Sequence, residues 1–324
     1  MDDQEKQDDQ KIQDDQRDLL LKIARCNVAD RILDLLISGM SEKEIPEALR
    51  NESEKGNEKT PDYLNCQKIC EYQYKKISKA PDDSGSEQEF SKAMFHVPEP
   101  WNGNLKTAKI LFVGPNPSIN LKEKFPKFES EKWSEDKKNE VVDFFSDRLN
   151  LLDLKNDIKK TPYWREIYKY AAYILKVKGV GAVKTIEFGD KEKEEIDSQI
   201  ALTEIVHCKS TSQEEGGVDE AAETCFKKYT KKVIEYFLET PPGSGEKKTV
   251  VFLGGIAKAT ICAEAGTDKD NIDRKKIADY FGVSKENARF LFIYHPNARG
   301  LTHGQRQDRI NEEKRIDEEQ TQYG

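Results

Sequence analysis

The stretch that most constrains the fold is Ile110-Leu111-Phe112-Val113-Gly114-Pro115-Asn116-Pro117-Ser118-Ile119-Asn120. A run of consecutive apolar residues suits a strand buried on both faces of a parallel sheet. The Gly-Pro-Asn-Pro turn then delivers polar groups to the strand's carboxyl edge. In open α/β sheets ligands bind at that edge. Ala201–Lys209, Val250–Gly255 and Phe290–Arg299 repeat the plan, each an apolar run stopping at polar or Gly-rich residues. Helical patterns lie between them. The order predicts a three-layer α/β/α domain on a central, mainly parallel four-stranded sheet, preceded by N-terminal helices.

Of the 324 residues, 35% are charged and only 36% hydrophobic, so much of the chain must be solvated helix or mobile segment. The net charge of −8 argues mildly against nucleic acid as a partner. That argument weakens because residues 1–16 carry seven acids against Lys6 and Lys11, so −5 of the −8 is local to them. No apolar run approaches a membrane span, and the acidic N-terminus is unlike a signal peptide. The expectation is a cytoplasmic protein with no membrane partner. Structural disulfides are rare in that compartment, so the six cysteines call for another explanation.

Asp-Asp-Gln occurs three times in residues 1–16, which read as an acidic low-complexity tail. Residues 17–58 read as a helical segment and linker. Leu19, Leu20, Ile23, Ile32, Leu35 and Leu36 recur at helical spacing, and Ser41 with Glu44 forms a capping-box pattern. Residues 17–50 would pack on the main domain, on a partner helix or on a second copy. Residues 59–324 read as the main domain, with an aromatic-rich helical insertion at about 121–198. Cys66 and Cys70 share one face if Asp62–Lys76 is helical. Arg306–Gln320 reads as an exposed charged helix. Lys209, Arg299, Arg306 and Arg309 suit either a phosphate-contacting rim or a solvated surface. No nucleotide-cofactor signature competes; Gly179-Val-Gly181 and Gly254-Gly255 are too short to count.

His295-Pro-Asn-Ala-Arg-Gly300 leaves the last apolar strand at the same edge as Asn116, and this convergence favours a functional histidine. Taken with Gly114-Pro-Asn-Pro-Ser118, Leu202-Thr-Glu-Ile-Val-His-Cys-Lys209, Phe252-Leu-Gly-Gly-Ile-Ala257 and His295-Pro296, the chain from about Cys66 to Gly304 resembles the uracil-DNA glycosylase superfamily. Its iron–sulfur branch has an N-terminal cysteine pair, a third cysteine after the second strand and a fourth in the next helix. Cys66, Cys70, Cys208 and Cys225 match that order, although the first pair is Cys-x3-Cys rather than Cys-x2-Cys. The resemblance therefore implies a 4Fe–4S cluster, with tetrahedral zinc as the runner-up. Cys26 and Cys262 fit no ligand pattern and read as core residues.

The resemblance implies a monofunctional glycosylase that binds DNA and flips a nucleotide from it. It then hydrolyses the N-glycosidic bond and leaves an abasic site. His295 would donate to base O2 as charge builds there, and Asn116 would position the water. Phe125 or Phe128 would stack under the base, and Gly114 would let the base approach. Arg299 would fill the gap left in the duplex. Ser118, Asn297 and Lys209 would contact DNA. Glu204 departs from the pattern. Uracil-cleaving members carry Asn there, whereas a carboxylate accepts only, which suits the 4-amino group of cytosine. The expected target is a modified cytosine, such as the hydroxymethylated or glycosylated bases of some phage DNA, excised in defence. The alternatives are repair of uracil or another deaminated base, and a catalytically silent nucleic-acid-binding module. For Glu204 itself the other reading is a salt bridge away from the pocket.

Overall fold

The computed structural model describes residues 3–55, 61–78, 94–118, 124–128, 133–177, 189–210, 217–239 and 247–323. The chain is mixed α/β and divides into two compact units that interleave along the sequence. One comprises residues 1–100, 116–144 and 206–229, and is called here the thiol unit. The other comprises residues 101–115, 145–205 and 230–324, and is called the sheet unit.

The helices are α1 (Asp3–Ala24), α2 (Asn27–Ile37), α3 (Ile45–Lys55), α4 (Pro61–Ser78), α5 (Glu135–Leu151), α6 (Pro162–Leu175), α7 (Asp190–Asp197), α8 (Val218–Cys225), α9 (Lys231–Glu239), α10 (Gly254–Glu264), α11 (Arg274–Tyr280) and α12 (His303–Tyr323). The strands are β1 (Trp101–Asn102), β2 (Ile110–Gly114), β3 (Ile200–Glu204), β4 (Lys248–Leu253) and β5 (Ala288–Ile293). All five strands belong to the sheet unit and form one mixed sheet in the order β1-β3-β2-β4-β5. The pairings β3–β2, β2–β4 and β4–β5 are parallel. The sheet thus has five strands rather than the expected four. The addition is β1, a two-residue edge strand antiparallel to β3 and too short to leave a periodic signal.

Alternation assigns the two faces of the sheet. Ile110 and Phe112, Ile200 and Leu202, Val251 and Leu253, and Leu291 and Ile293 share a buried cluster with Ile167, Tyr168 and Ala171 of α6 and Ile196 of α7. From the alternate positions, Phe252 stacks on Phe292 at 5.3 Å and Phe290 on Phe281 at 6.0 Å. Both faces are apolar, so the strands read as continuous apolar runs.

Several expectations change. Residues 3–16, read as a tail, belong to the helix α1. The expected linker begins as helix, because α3 runs to Lys55; residues 56–60 lie outside the described residues. So do residues 121–123, 129–132 and 178–188 of the expected insertion. The Ser41 pattern does cap: Glu44 Oε2 accepts from Ser41 N–H at 2.9 Å and from Ser41 Oγ at 2.6 Å. These bonds hold the Glu44 carboxyl below its ordinary value.

The largest correction is α12. Its charged residues Arg306, Glu313 and Asp317 are buried, not solvated. β5 is an edge strand, and side chains complete its outer hydrogen bonds. Glu313 Oε2 accepts from Phe292 N–H at 2.9 Å, Arg309 Nε donates to Phe292 O at 3.1 Å, and Arg274 Nε donates to Phe290 O at 3.0 Å. Glu313 also pairs with Arg274 and, at 2.6 Å, with Arg309, and Asp317 pairs with Arg289 at 3.3 Å. Glu313→Ala should therefore cost about 3–5 kcal/mol, the penalty of leaving buried cations uncompensated. Removing the exposed Arg315 from its pair with Glu319 should cost under about 1 kcal/mol. Urea unfolding midpoints of the two variants check the contrast; equal losses would refute it.

Candidate functional site

In the sheet unit, the parallel register brings the carboxyl ends of β2, β3, β4 and β5 to one edge. Gly114 pairs with Glu204 and Leu253 with Ile293. Glu204 is buried, 6% exposed. A Cβ on Gly114 would collide with its carboxylate, lying 2.9 Å from Cδ and closer still to Oε2. Only glycine at 114 lets the Glu204 carboxylate lie across the end of β2. The backbone there is held by Ile205 N–H donating to Gly114 O at 2.8 Å and by Thr230 Oγ1 donating to Glu204 O at 2.9 Å.

His295 follows β5 after one residue and is half-buried. The neighbouring β4 is followed directly by Gly254, with φ of +82°, where a Cβ would sit 3.1 Å from His295 Cβ. A left-handed backbone and a close approach both demand glycine there. His295 Nδ1 accepts from Asn297 N–H at 3.2 Å. In the neutral ring that bond places the proton on Nε2. Burial, aided by the nearby Arg306 guanidinium, holds the imidazole well below its ordinary value, at about 4. At neutral pH His295 is thus an uncharged donor through Nε2. Tyr163 of α6 lies 5.8 Å from it, ring to ring, and packs edge-on against Trp164 at 5.3 Å. Sequence reasoning missed Tyr163, which was one aromatic among many in the expected insertion. Asn297 and Arg299 are exposed on the turn after His295.

The other candidate residues belong to the thiol unit. Asn116 Nδ2 donates to Pro117 O and Ser210 O, each at 3.0 Å, and Ser210 N–H donates to Pro117 O at 2.9 Å. With Nδ2 committed to two carbonyls, Oδ1 is the acceptor atom that the amide keeps. Ser118 is exposed. Lys209 is corrected: it is 2% exposed rather than on a phosphate-contacting rim. Its ammonium pairs with Glu99 Oε2 at 3.3 Å and lies 3.3 Å from the centre of the Phe125 ring, a cation–π contact. Phe125 also meets His96 and Phe144 at 5.2 Å each, and Phe128 donates its N–H to Phe95 O at 2.9 Å. Both rings are buried. His207 is buried with Nδ1 2.6 Å from Glu99 O, and burial pushes it down to about 4.

The four expected ligands fall in this one unit. Cys66 and Cys70 lie one turn apart on α4, Cys208 follows β3, and Cys225 ends α8, where the long helical run passes into a π-turn (Phe226–Thr230). All four are buried free thiols. Cys66 is hydrogen-bonded to Cys225, which together with burial pushes the Cys66 thiol up; the same bond holds Cys225 down. Cys208 is raised by its hydrogen bond to Cys70 and by burial. Cys26, read as ordinary core, lies near this group: Tyr229 Oη donates to its Sγ at 3.5 Å, and Cys225 adds to the burial that raises it. The donor set has the softness and number that a tetrahedral zinc or an iron–sulfur cluster requires. The thiols stand as two pairs; among the described residues, no group of three or more His, Cys, Asp or Glu side chains is arranged to hold a metal ion.

The Asn116 geometry makes a direct prediction. Asn116→Asp would replace a donor by acceptors facing two carbonyl oxygens, and should destabilise the protein by about 1–3 kcal/mol in urea unfolding. A variant as stable as the parent would show that the amide bonds are not made. Neither a known protein family nor a curated protein matches the chain.

Proposed function

We propose that the protein is a monofunctional DNA glycosylase, of the iron–sulfur kind within the uracil-DNA glycosylase superfamily, acting on a modified cytosine in DNA. The observation that carries the reading is the Gly114–Glu204–His295 edge of the sheet unit. There a buried carboxylate and a neutral histidine follow the ends of parallel strands. The finer architecture proposed is a three-layer α/β/α arrangement of the superfamily type.

In this reading water adds to C1′ as the C1′–N1 bond breaks. The products are an abasic sugar and the free base, which departs as an anion and then takes a proton. His295 Nε2–H is the donor to O2 of the departing base, and such oriented donors contribute about 10²–10³ in rate. Neutrality suits this role, because an imidazole retains its single N–H donor throughout while its Nδ1 stays fixed by Asn297. Asn116 Oδ1 would hold the attacking water as an acceptor, without the basicity of an aspartate. Glu204 would accept from the exocyclic amine of cytosine and repel O4 of uracil. Arg299, Asn297 and Ser118 are exposed and suit DNA contact, with Arg299 as the wedge; Phe125 and Phe128 are buried, Phe125 under the Lys209 ammonium, so either ring would have to be uncovered to stack on a base. Cys66, Cys70, Cys208 and Cys225 would hold a 4Fe–4S cluster, with zinc as runner-up. When bound, the group would cross-link α4, α8 and the segment after β3. The proposed location is cytoplasmic, the proposed role defence.

Oligonucleotides containing uracil, cytosine, 5-hydroxymethylcytosine or its glucosylated form, treated with alkali after incubation, test the reading. Release confined to a modified cytosine, reduced about 10²–10³-fold by His295→Ala and shifted toward uracil by Glu204→Asn, is expected. The rate should stay level from pH 7.5 to 5, because His295 gains its proton only near 4; a histidine with an ordinary value would change state near 6.5. Uracil release by the parent protein would replace this reading with repair, and no release from any base would leave a DNA-binding module. Separately, metal analysis of protein purified without oxygen should find about four irons per chain, and Cys70→Ser should lose them. One zinc per chain would favour the runner-up, and no metal would remove the cluster from the reading.

A further inference from the structure

We infer that Arg306 is a positioning residue for His295, reaching from α12 to grip the backbone on both sides of the His-Pro turn. Its Nη1 donates to His295 O at 3.1 Å and to Tyr170 Oη at 2.6 Å, and its Nη2 donates to Ala298 O at 2.7 Å. Tyr170 Oη in turn donates to Tyr294 O at 3.3 Å. The turn itself closes with Ala298 N–H donating to His295 O at 2.9 Å. Three carbonyls around the imidazole, those of residues 294, 295 and 298, are therefore held through one guanidinium and one phenol. Tyr294, Asn297, Arg299 and Gly300 are exposed while Pro296 is buried, so these backbone bonds add to what the packing of Pro296 supplies. Arg306 is 7% exposed, and a planar fork suits gripping several oxygens at once in a way that lysine does not.

The same placement has an electrostatic effect. Among the described residues, Arg306 of α12 is the charged group acting on His295, Tyr163 of α6 lies 5.8 Å from it ring to ring, and Tyr170 of α6 bonds Arg306; Glu166, Lys169 and His303 surround Arg306 and one another. Glu166 Oε2 lies 3.8 Å from Arg306 Nε, and Oε1 pairs with Lys169 at 3.0 Å and Arg165 at 3.5 Å, so its charge is shared among three cations. A cation beside the imidazole disfavours the imidazolium and supports the neutral ring whose Nε2 carries the proton. The clamp thus holds the backbone that carries His295 and adds to burial in keeping its ring neutral. What that does to a departing base rests on the glycosylase reading; the positioning itself does not.

The test is an NMR titration of the His295 ring in the full chain, assigned with His295→Gln, alongside the oligonucleotide assay. In the parent protein His295 should remain the neutral Nε2–H form down to about pH 5. Arg306→Met should raise its midpoint toward the ordinary histidine value of about 6.5, burial still holding it below that value, and mix its tautomers. It should also lower kcat about 10–100-fold with KM little changed, as expected of a misplaced group. Arg306→Lys should restore the low midpoint but not the lost kcat, separating charge from grip. Should Arg306→Met fail to fold, Arg306→Lys and Tyr170→Phe decide, the latter lowering kcat without moving the charge. A folded Arg306→Met with unchanged titration and kcat overturns the inference. If the parent releases no base yet the titration shifts as described, the glycosylase reading falls and the positioning role stands.

Discussion

The buried carboxylate of Glu313, set between Arg274 and Arg309, is the contact on which the sheet unit depends most. β5 is the last strand of the sheet and has no strand beyond it, so its outward N–H and C=O groups need other partners. Glu313, Arg274 and Arg309 supply them. An ion pair in such a place stabilises less by its Coulomb attraction than by satisfying groups that would otherwise be buried and unbonded. Because His295 leaves the end of β5, the register of this ladder also sets where the histidine emerges.

Gly114 and Glu204 show how backbone and side chain divide the work at the other end of the edge. β2 stops in a residue without a side chain, and the carboxylate of β3 occupies the space a Cβ would take. An ionised carboxylate in that place accepts hydrogen bonds and cannot donate them, so the end of β3 presents an acceptor at the sheet edge. The thiol unit follows a different logic. It gathers Cys66, Cys70, Cys208, Cys225 and nearby Cys26 from four separate segments, a concentration of soft donors that simple hydrophobic packing does not require.

The strands were legible because burial on both faces leaves continuous apolar runs, and their carboxyl ends because Gly and Pro stop those runs. That is why Gly114, Glu204 and His295 were found from sequence. β1 was not, since two antiparallel residues, Trp101 and Asn102, make no pattern. Tyr163 was hidden among the aromatics of α6, where nothing in its spacing distinguishes a core ring from one beside His295.

The sequence by itself determined the parallel strands, their order along the chain and the residues at their ends, because these depend on local apolar runs and turn chemistry. Only the tertiary structure decided what the charged residues do. Lys209 is held inside by Glu99 and Phe125, and Arg306, Glu313 and Asp317 give the highly charged helix α12 a buried polar face. Charge in a sequence announces a preference for water, but whether a distant partner replaces that water depends on contacts between residues over a hundred positions apart, as between Arg306 and Tyr170 or Lys209 and Glu99.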